Sequence, residues 1–186
     1  AKKYNIACHT EFNRTQSSEA MFNRLKMTST RYFNAGVMVV NNQSWIVNNT
    51  TEKLIEKIEE LKNSIEYWDQ DVLNSFFNGD YLEISNNLNY QINLQNSFDL
   101  HEIEQKGIFL HYQSSNKPWT IQGCFNTASL FYQNCALKNS GNYHLVKTLR
   151  RFDLTHLIIK TINLKFKFLI NKSKFYKESI NVILGL

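Results

Sequence analysis

Phe33-Asn34-Ala35-Gly36-Val37-Met38-Val39-Val40-Asn41-Asn42 is the stretch on which the fold turns. Its eight residues become apolar and β-branched toward the end, and two asparagines then stop them, the pattern of a buried strand. The polar opening at Asn34 and the glycine at 36 interrupt that pattern. On the C-terminal side the period changes. Thr50 or Thr51 caps a helix to about Tyr67, because Leu54, Ile58, Leu61 and Ile65 recur at helical spacing while Glu and Lys fill the other faces. A second helix is expected over Gln70–Asn78, burying Val72, Leu73, Phe76 and Phe77 and ending at Gly79. A strand follows over Tyr81–Ile84, then an Asn-rich connection at 85–98, then a buried strand Ile108-Phe109-Leu110 that delivers His111 at its end. Strands alternating with helices predict an α/β domain rather than a helical bundle.

On the N-terminal side, residues 1–31 read as a loop-rich entry with one short helix near Ser18–Lys26. From about Thr127 the spacing is helical again, with Tyr132, Leu137, Leu145, Leu149, Phe152 and Leu157, and 158–186 mixes Ile, Leu and Phe with regularly placed Lys. No internal repeat or Gly/Ser linker divides the chain. Its 186 residues and 42% apolar content suit one domain with a real core. No apolar run approaches the roughly 20 residues of a membrane-spanning helix. The first residues, Ala1-Lys2-Lys3-Tyr4, carry neither an initiator Met nor the apolar core of a secretory signal, so export is not expected. Cys8, Cys124 and Cys135 match no metal or redox spacing and read as reduced thiols of a cytoplasmic protein.

The net charge of +5 is uneven: from Lys138 onward ten basic residues face two acids. The expected division is therefore a globular domain over 1–137 and a basic helical tail over 138–186. Nucleic-acid recognition would place basic residues among exposed aromatics on a recognisable module, and none is visible, so no nucleic acid is expected as a partner. An anionic membrane surface suits the tail better, as does a plain solvated helix packed on the domain.

Three short constellations carry chemistry. In the first, Asn34 can donate to and accept from hydroxyls, and Gly36 lets a ligand approach the backbone; a strand entry with a glycine bulge explains the same residues. The second is Asp69-Gln70-Asp71, two acids flanking an amide at a helix start. Asp69 reads equally as an N-cap or as a carboxylate that meets sugar hydroxyls and stabilises an oxocarbenium-like transition state. The third is His111-Tyr112-Gln113-Ser114-Ser115-Asn116-Lys117-Pro118-Trp119. There an imidazole, a small polar turn with free amides and a lysine suited to phosphate fall within seven positions; a structural histidine is the plain alternative.

In this order and at these separations, the three segments resemble the C-terminal half of glycosyltransferase family 8, whose members share FN(A/S)G, DQD and HYxGxxKPW signatures. The likeness is nearest to its lipopolysaccharide galactosyl- and glucosyltransferases, and runs from about Phe22 to Trp119 and weakly to Lys138. The resemblance implies a partial GT-A-type, Rossmann-like fold and retaining transfer of a hexose from a UDP-sugar to a lipid-linked glycan acceptor, in the cytoplasm at the inner face of the membrane. It implies that Asn34, Ala35 and Gly36 flank the donor sugar. Asp69, Gln70 and Asp71 would lie at its hydroxyls and anomeric carbon, with no nucleophile assigned. It further implies that His111 binds Mn²⁺ (or Mg²⁺), and that Ser114 and Lys117 hold the leaving diphosphate. Ser114 stands where the family has glycine, which fits if the turn needs no positive φ. The family's DxD motif lies upstream of FNAG, and no Asp precedes Asp69 here. The chain is thus expected to be a fragment or truncated form that alone binds Mn²⁺-UDP poorly. The alternative is a catalytically inert, sugar- or partner-binding remnant of the fold.

Overall fold

The computed structural model describes residues 4–11, 19–120, 122–145, 154–171 and 174–184. The chain forms two compact units, 1–89 and 90–186. The first contains β1 (Ile6–Thr10), α1 (Glu19–Arg24), β2 (Phe33–Val40), α2 (Asn42–Val47), α3 (Thr50–Leu61), α4 (Trp68–Phe77) and β3 (Leu82–Glu83), with 3-10 turns at Lys62–Ser64 and Asn86–Asn89. Its sheet order is β2-β1-β3; β1 runs antiparallel to β2 and parallel to β3.

The strand expected at Phe33–Val40 is present, but as a sheet edge: Phe33 and Asn34 are buried while Val39 and Val40 are exposed. Its pairing contains a large bulge. Cys8 lies opposite Met38 and His9 opposite Asn34, so Ala35, Gly36 and Val37 loop out of the ladder. α4 faces this bulge and knits the unit together. Its Val72 joins Met21, Phe22, Leu25, Tyr32 and Leu61, whereas Leu73 and Phe77 join Ile6, Cys8, Phe33 and Tyr81. Each such buried side chain contributes about 1.5–3 kcal/mol, so the junction of β2 and α4 is a principal anchor of the unit.

The helix expected to reach Tyr67 stops at Leu61. Lys62 adopts φ 36° and ψ −107°, and Ile65 is extended, which turns Ile65 onto the cluster around Leu61 and Val72. Core burial thus overrides continued helical periodicity. β1 was not expected at all, because its Cys8-His9-Thr10 reads as polar; Thr10 is nevertheless buried, its N–H bonded to the Glu83 carboxylate (2.8 Å) and its hydroxyl to that of Tyr81 (2.6 Å).

The second unit opens with β4 (Tyr90–Ile92), α5 (Leu100–Lys106) and β5 (Leu110–Tyr112), a parallel two-strand βαβ unit. The strand expected at Ile108–Leu110 is displaced: Ile108 and Phe109 are exposed, and His111 lies within β5 opposite Gln91. The register that pairs Ile92 with Tyr112 seats both on Ile103 and Ala128 and fixes this shift. Next come a 3-10 turn at Gly123–Phe125, α6 (Ser129–Ser140), α7 (Leu154–Asn171) and α8 (Lys174–Leu184). Leu164, Phe175, Tyr176 and Ile180 of the last two helices pack on Cys124. The sequence boundary at 137, drawn from charge, falls inside α6, and the helices beyond it share a core with residues 124–145. Leu149 and Phe152 of the expected helical pattern lie outside the described residues. Among the described residues no helix is long and apolar enough to cross a membrane.

Candidate functional site

The β2 bulge is where the first two motifs meet. Released from the ladder, the Ala35 N–H donates to Gln70 Oε1 at 3.0 Å, and the Gly36 N–H donates to Asn34 Oδ1 at 2.9 Å. With its carbonyl oxygen committed to Ala35, Gln70 keeps its side-chain NH₂ as a pair of donors. Asn34 is buried and held from two further sides: its Nδ2 donates to Glu11 Oε1 (2.6 Å), and its Oδ1 accepts from Asn89 Nδ2 (3.1 Å). Sequence reasoning missed both Glu11 and Asn89. No local pattern marks them; only the fold brings them to Asn34.

The three residues of the second motif divide by environment. Asp69 is exposed, on the wall of an apolar cleft of about 400 Å³ that also takes in Trp45, Ile58 and Trp68. Trp68 is 80% exposed and sits at φ 52°, a left-handed conformation costly for a side chain of its size. Gln70 is half-buried against the bulge. Asp71 is fully buried and accepts from the Tyr32 hydroxyl (2.7 Å), Arg24 (3.0 Å) and the N–H groups of Glu66 (2.8 Å) and Tyr67 (2.9 Å). Burial pushes its carboxyl up, but the bonds from Tyr67, Tyr32, Glu66 and Arg24 outweigh this and hold it below the usual carboxylate range. Next along α4, Asn74 accepts from the Phe33 N–H (2.7 Å) and donates to the carbonyls of Phe33 (2.8 Å) and Gln70 (2.9 Å). Strand and helix are thereby locked in one register.

The third motif lies on the second unit. His111 is half-buried in β5, and the chain then turns at Ser114, whose φ is 64°. The condition under which serine would fit without strain is therefore not met: the turn does need the left-handed region. Lys117 folds back so that its ammonium donates to the Tyr112 carbonyl. Gly123 packs hard against that lysine's backbone, since a Cβ at 123 would stand 1.9 Å from the Lys117 carbonyl oxygen. Fully buried Gln133 on α6 donates to the Pro118 carbonyl (2.8 Å), and Trp119 packs on the rings of Tyr132 (5.1 Å) and His144 (5.7 Å). Pro118 and Trp119 thus anchor the loop that follows β5.

Among the described residues no three His, Cys, Asp or Glu side chains group to hold a metal ion, so His111 has no assembled ligand set there. None of the three cysteines forms a disulfide, and burial, aided by Glu83, pushes the Cys8 thiol up to about 12, which disfavours its thiolate.

The family model of glycosyl transferase family 8 matches residues 1–123. The chain belongs to that family. Among curated proteins it is similar to glycosyltransferase GlyE of Streptococcus pneumoniae, 34% identical over 96 residues that cover 47% of this chain and 23% of the relative. It is also similar to the lipopolysaccharide 1,3-galactosyltransferase of Salmonella typhimurium, 29% identical over 129 residues, 62% of this chain and 38% of the relative. The chain thus spans less than two fifths of the length of either. Among solved structures, the galactosyltransferase LgtC, determined with donor and acceptor sugar analogs, superposes with a TM-score of 0.57 at 20% identity, covering 74% of this chain and 52% of LgtC. That likeness establishes a partial α/β fold of the GT-A type.

Proposed function

We propose that this family 8 chain serves retaining transfer of a hexose, galactose or glucose, from a UDP-sugar to a lipopolysaccharide or similar lipid-linked surface glycan. The observation that carries the reading is the bond from the Ala35 N–H to Gln70 Oε1, which couples the FNAG bulge to the DQD helix. It fixes the bulge and the Gln70 amide in one preorganised group suited to hexose hydroxyls, while buried Asn34, bonded to Glu11, Asn89 and Gly36, acts as a positioning residue. Asp69, exposed and next to Gln70 along α4, would be the carboxylate that opposes positive charge developing on the sugar ring. Asp71 acts as a positioning residue: its oxygens are committed to the protein, and it fixes the start of the helix that carries Asp69 and Gln70. No side chain is assigned as nucleophile.

In the second unit, Lys117 and the Ser114 turn would meet the diphosphate, with the lysine exchanging its Tyr112 carbonyl for phosphate oxygens. His111 is the residue offered to Mn²⁺ or Mg²⁺, and a bound metal would supply Lewis-acid neutralisation of the leaving group. Acceptor glycans of this kind are lipid-linked. The basic tail, with Ile158, Ile162, Phe166 and Leu169 exposed on α7, supports peripheral attachment to the inner face of the cytoplasmic membrane.

The test is UDP release and hexose transfer by the gene product expressed from its natural start, with UDP-galactose and UDP-glucose. Consumption of one of them is expected, with kcat lowered about 10²-fold or more in Asp69→Asn and Gln70→Ala. Failure to consume any UDP-hexose would leave a sugar-binding remnant as the reading.

A further inference from the structure

The transferase reading leaves a cleft of the second unit unused. It has a volume of about 300 Å³, and its polar wall is formed by Gln95, Ser97, Asn126, Thr127 and Lys167, with the rings of Phe98 and Phe125 beside them. The rim is braced. Asn126 Nδ2 donates to the carbonyls of Leu94 (3.1 Å) and Asn96 (2.7 Å), and its Oδ1 accepts from the Ala128 N–H (3.0 Å). The Gln95 N–H is tied to Asn93 Oδ1 (3.1 Å). With the Asn126 amide committed to the protein, the groups left to meet a ligand are the side chains of Gln95, Ser97 and Thr127 and the ammonium of Lys167.

Lys167 is the unusual member. It is half-buried, and its ammonium donates to the Phe125 carbonyl. An ammonium has three donors, so that bond leaves two. Among the described residues no acid lines the cleft and none pairs with Lys167. Burial lowers its pKa, with Cys124 opposing, the mark of a partly desolvated cation. Such a charge costs free energy that an incoming anion offsets. The other free groups are amides and hydroxyls beside two aromatic rings, the complement of a pyranose with its polar edge and C–H faces. A volume of about 300 Å³ is at the lower end of small-molecule clefts, roughly 300–1,000 Å³, and fits one sugar ring rather than a nucleotide sugar.

We infer that this cleft binds an acidic sugar unit, a single pyranose bearing a carboxylate or phosphate, with Lys167 on the acid group and Gln95, Ser97 and Thr127 on ring hydroxyls. The inference is independent of the transferase reading, because it requires neither donor nor metal.

Titration of the full chain with D-glucuronate, D-glucose 6-phosphate and neutral D-glucose, followed by calorimetry or saturation-transfer NMR without UDP-sugar or metal, tests it. At least one acid should bind about tenfold or more tighter than glucose, the scale of a charge-assisted hydrogen bond. Which acid wins tells carboxylate from phosphate. Lys167→Gln should reduce the acid to the affinity of glucose, whereas Lys167→Arg should retain it. Since Lys167 also braces Phe125, Thr127→Val offers a milder second variant and should weaken the acid about fivefold with an unchanged melting temperature. Acids that bind no tighter than glucose, or whose affinity is untouched by both Lys167→Gln and Thr127→Val, would overturn the inference. If Lys167→Gln fails to fold, the Thr127→Val result decides.

Discussion

Ser114 holds a left-handed backbone with a Cβ in place, at φ 64°. Its side chain returns little, a 3.3 Å contact to Asn93 Oδ1 at the surface. Replacing it with glycine removes a steric cost of about 1 kcal/mol. Ser114→Gly should therefore raise the melting temperature by about 2–4 °C, and calorimetry checks it. An unchanged or lower value would mean that the seryl contact outweighs the strain. Asp71 is the opposite case, a buried carboxylate with every bond made. Its folded pKa lies below that of an unfolded aspartate, about 3.9, so its stabilising effect is complete above that value and is lost as pH falls through the depressed folded pKa. Glu83 shifts in the same direction: burial raises it, and its bonds from Thr10 and Arg31 together with the nearby His9 outweigh that. Stability should thus decline below about pH 4. Asp71→Asn should lose about 3–5 kcal/mol at neutral pH and show a shallower acid decline, as urea midpoints from pH 7 to 3 would show. Equal midpoints for the two proteins would remove the structural role given to Asp71.

At the scale of elements, the bulge in β2 and the motif loop after β5 obey one rule: chain that leaves regular pairing is held by side chains from elsewhere. The three motif segments were legible from residue types and order, because amides, acids, a histidine and a lysine announce polar chemistry wherever they sit. α1, α3 and α4 were legible too, from apolar spacing. A glycine bulge was one reading of Asn34–Gly36, but its extent and register were not legible, because they depend on Cys8 and His9 in a strand whose Thr10 is held by Tyr81 and Glu83. The orienting partners Glu11 and Asn89 were hidden for the same reason, as was the length of β5, set by Ile92 rather than by its own residues. Gly123 shows how tightly the motif loop is held. A methyl group there must displace the Lys117 carbonyl, so Gly123→Ala should cost about 1–3 kcal/mol and shift the amide resonances of 117–120. A variant with wild-type stability and spectra would mean that the loop is free to move.

For the molecule as a whole, charge and exposed apolar surface converge on its last helices. Ile158, Ile162, Phe166 and Leu169 recur at spacings of four, four and three along α7 and are exposed, so they form one apolar stripe. Lys165 on α7 and Lys174 and Lys177 on α8 are exposed as well. The same helices bury Leu164, Phe175 and Tyr176 inward, so the outward stripe is not needed for the core. A basic, amphipathic surface of this kind binds an anionic bilayer through the stripe and through about 1 kcal/mol per lysine. Co-sedimentation of the full chain should therefore show binding to vesicles containing phosphatidylserine or phosphatidylglycerol and little binding to neutral phosphatidylcholine. Reversing all three charges, with Lys165→Glu, Lys174→Glu and Lys177→Glu, removes about 3 kcal/mol of attraction and should weaken binding about 100-fold. Since the three side chains are exposed, the fold should survive, and a melting curve verifies it. Binding that is equal on neutral and anionic vesicles, or unaffected by the three reversals, would assign the stripe to another partner and detach the tail from the membrane.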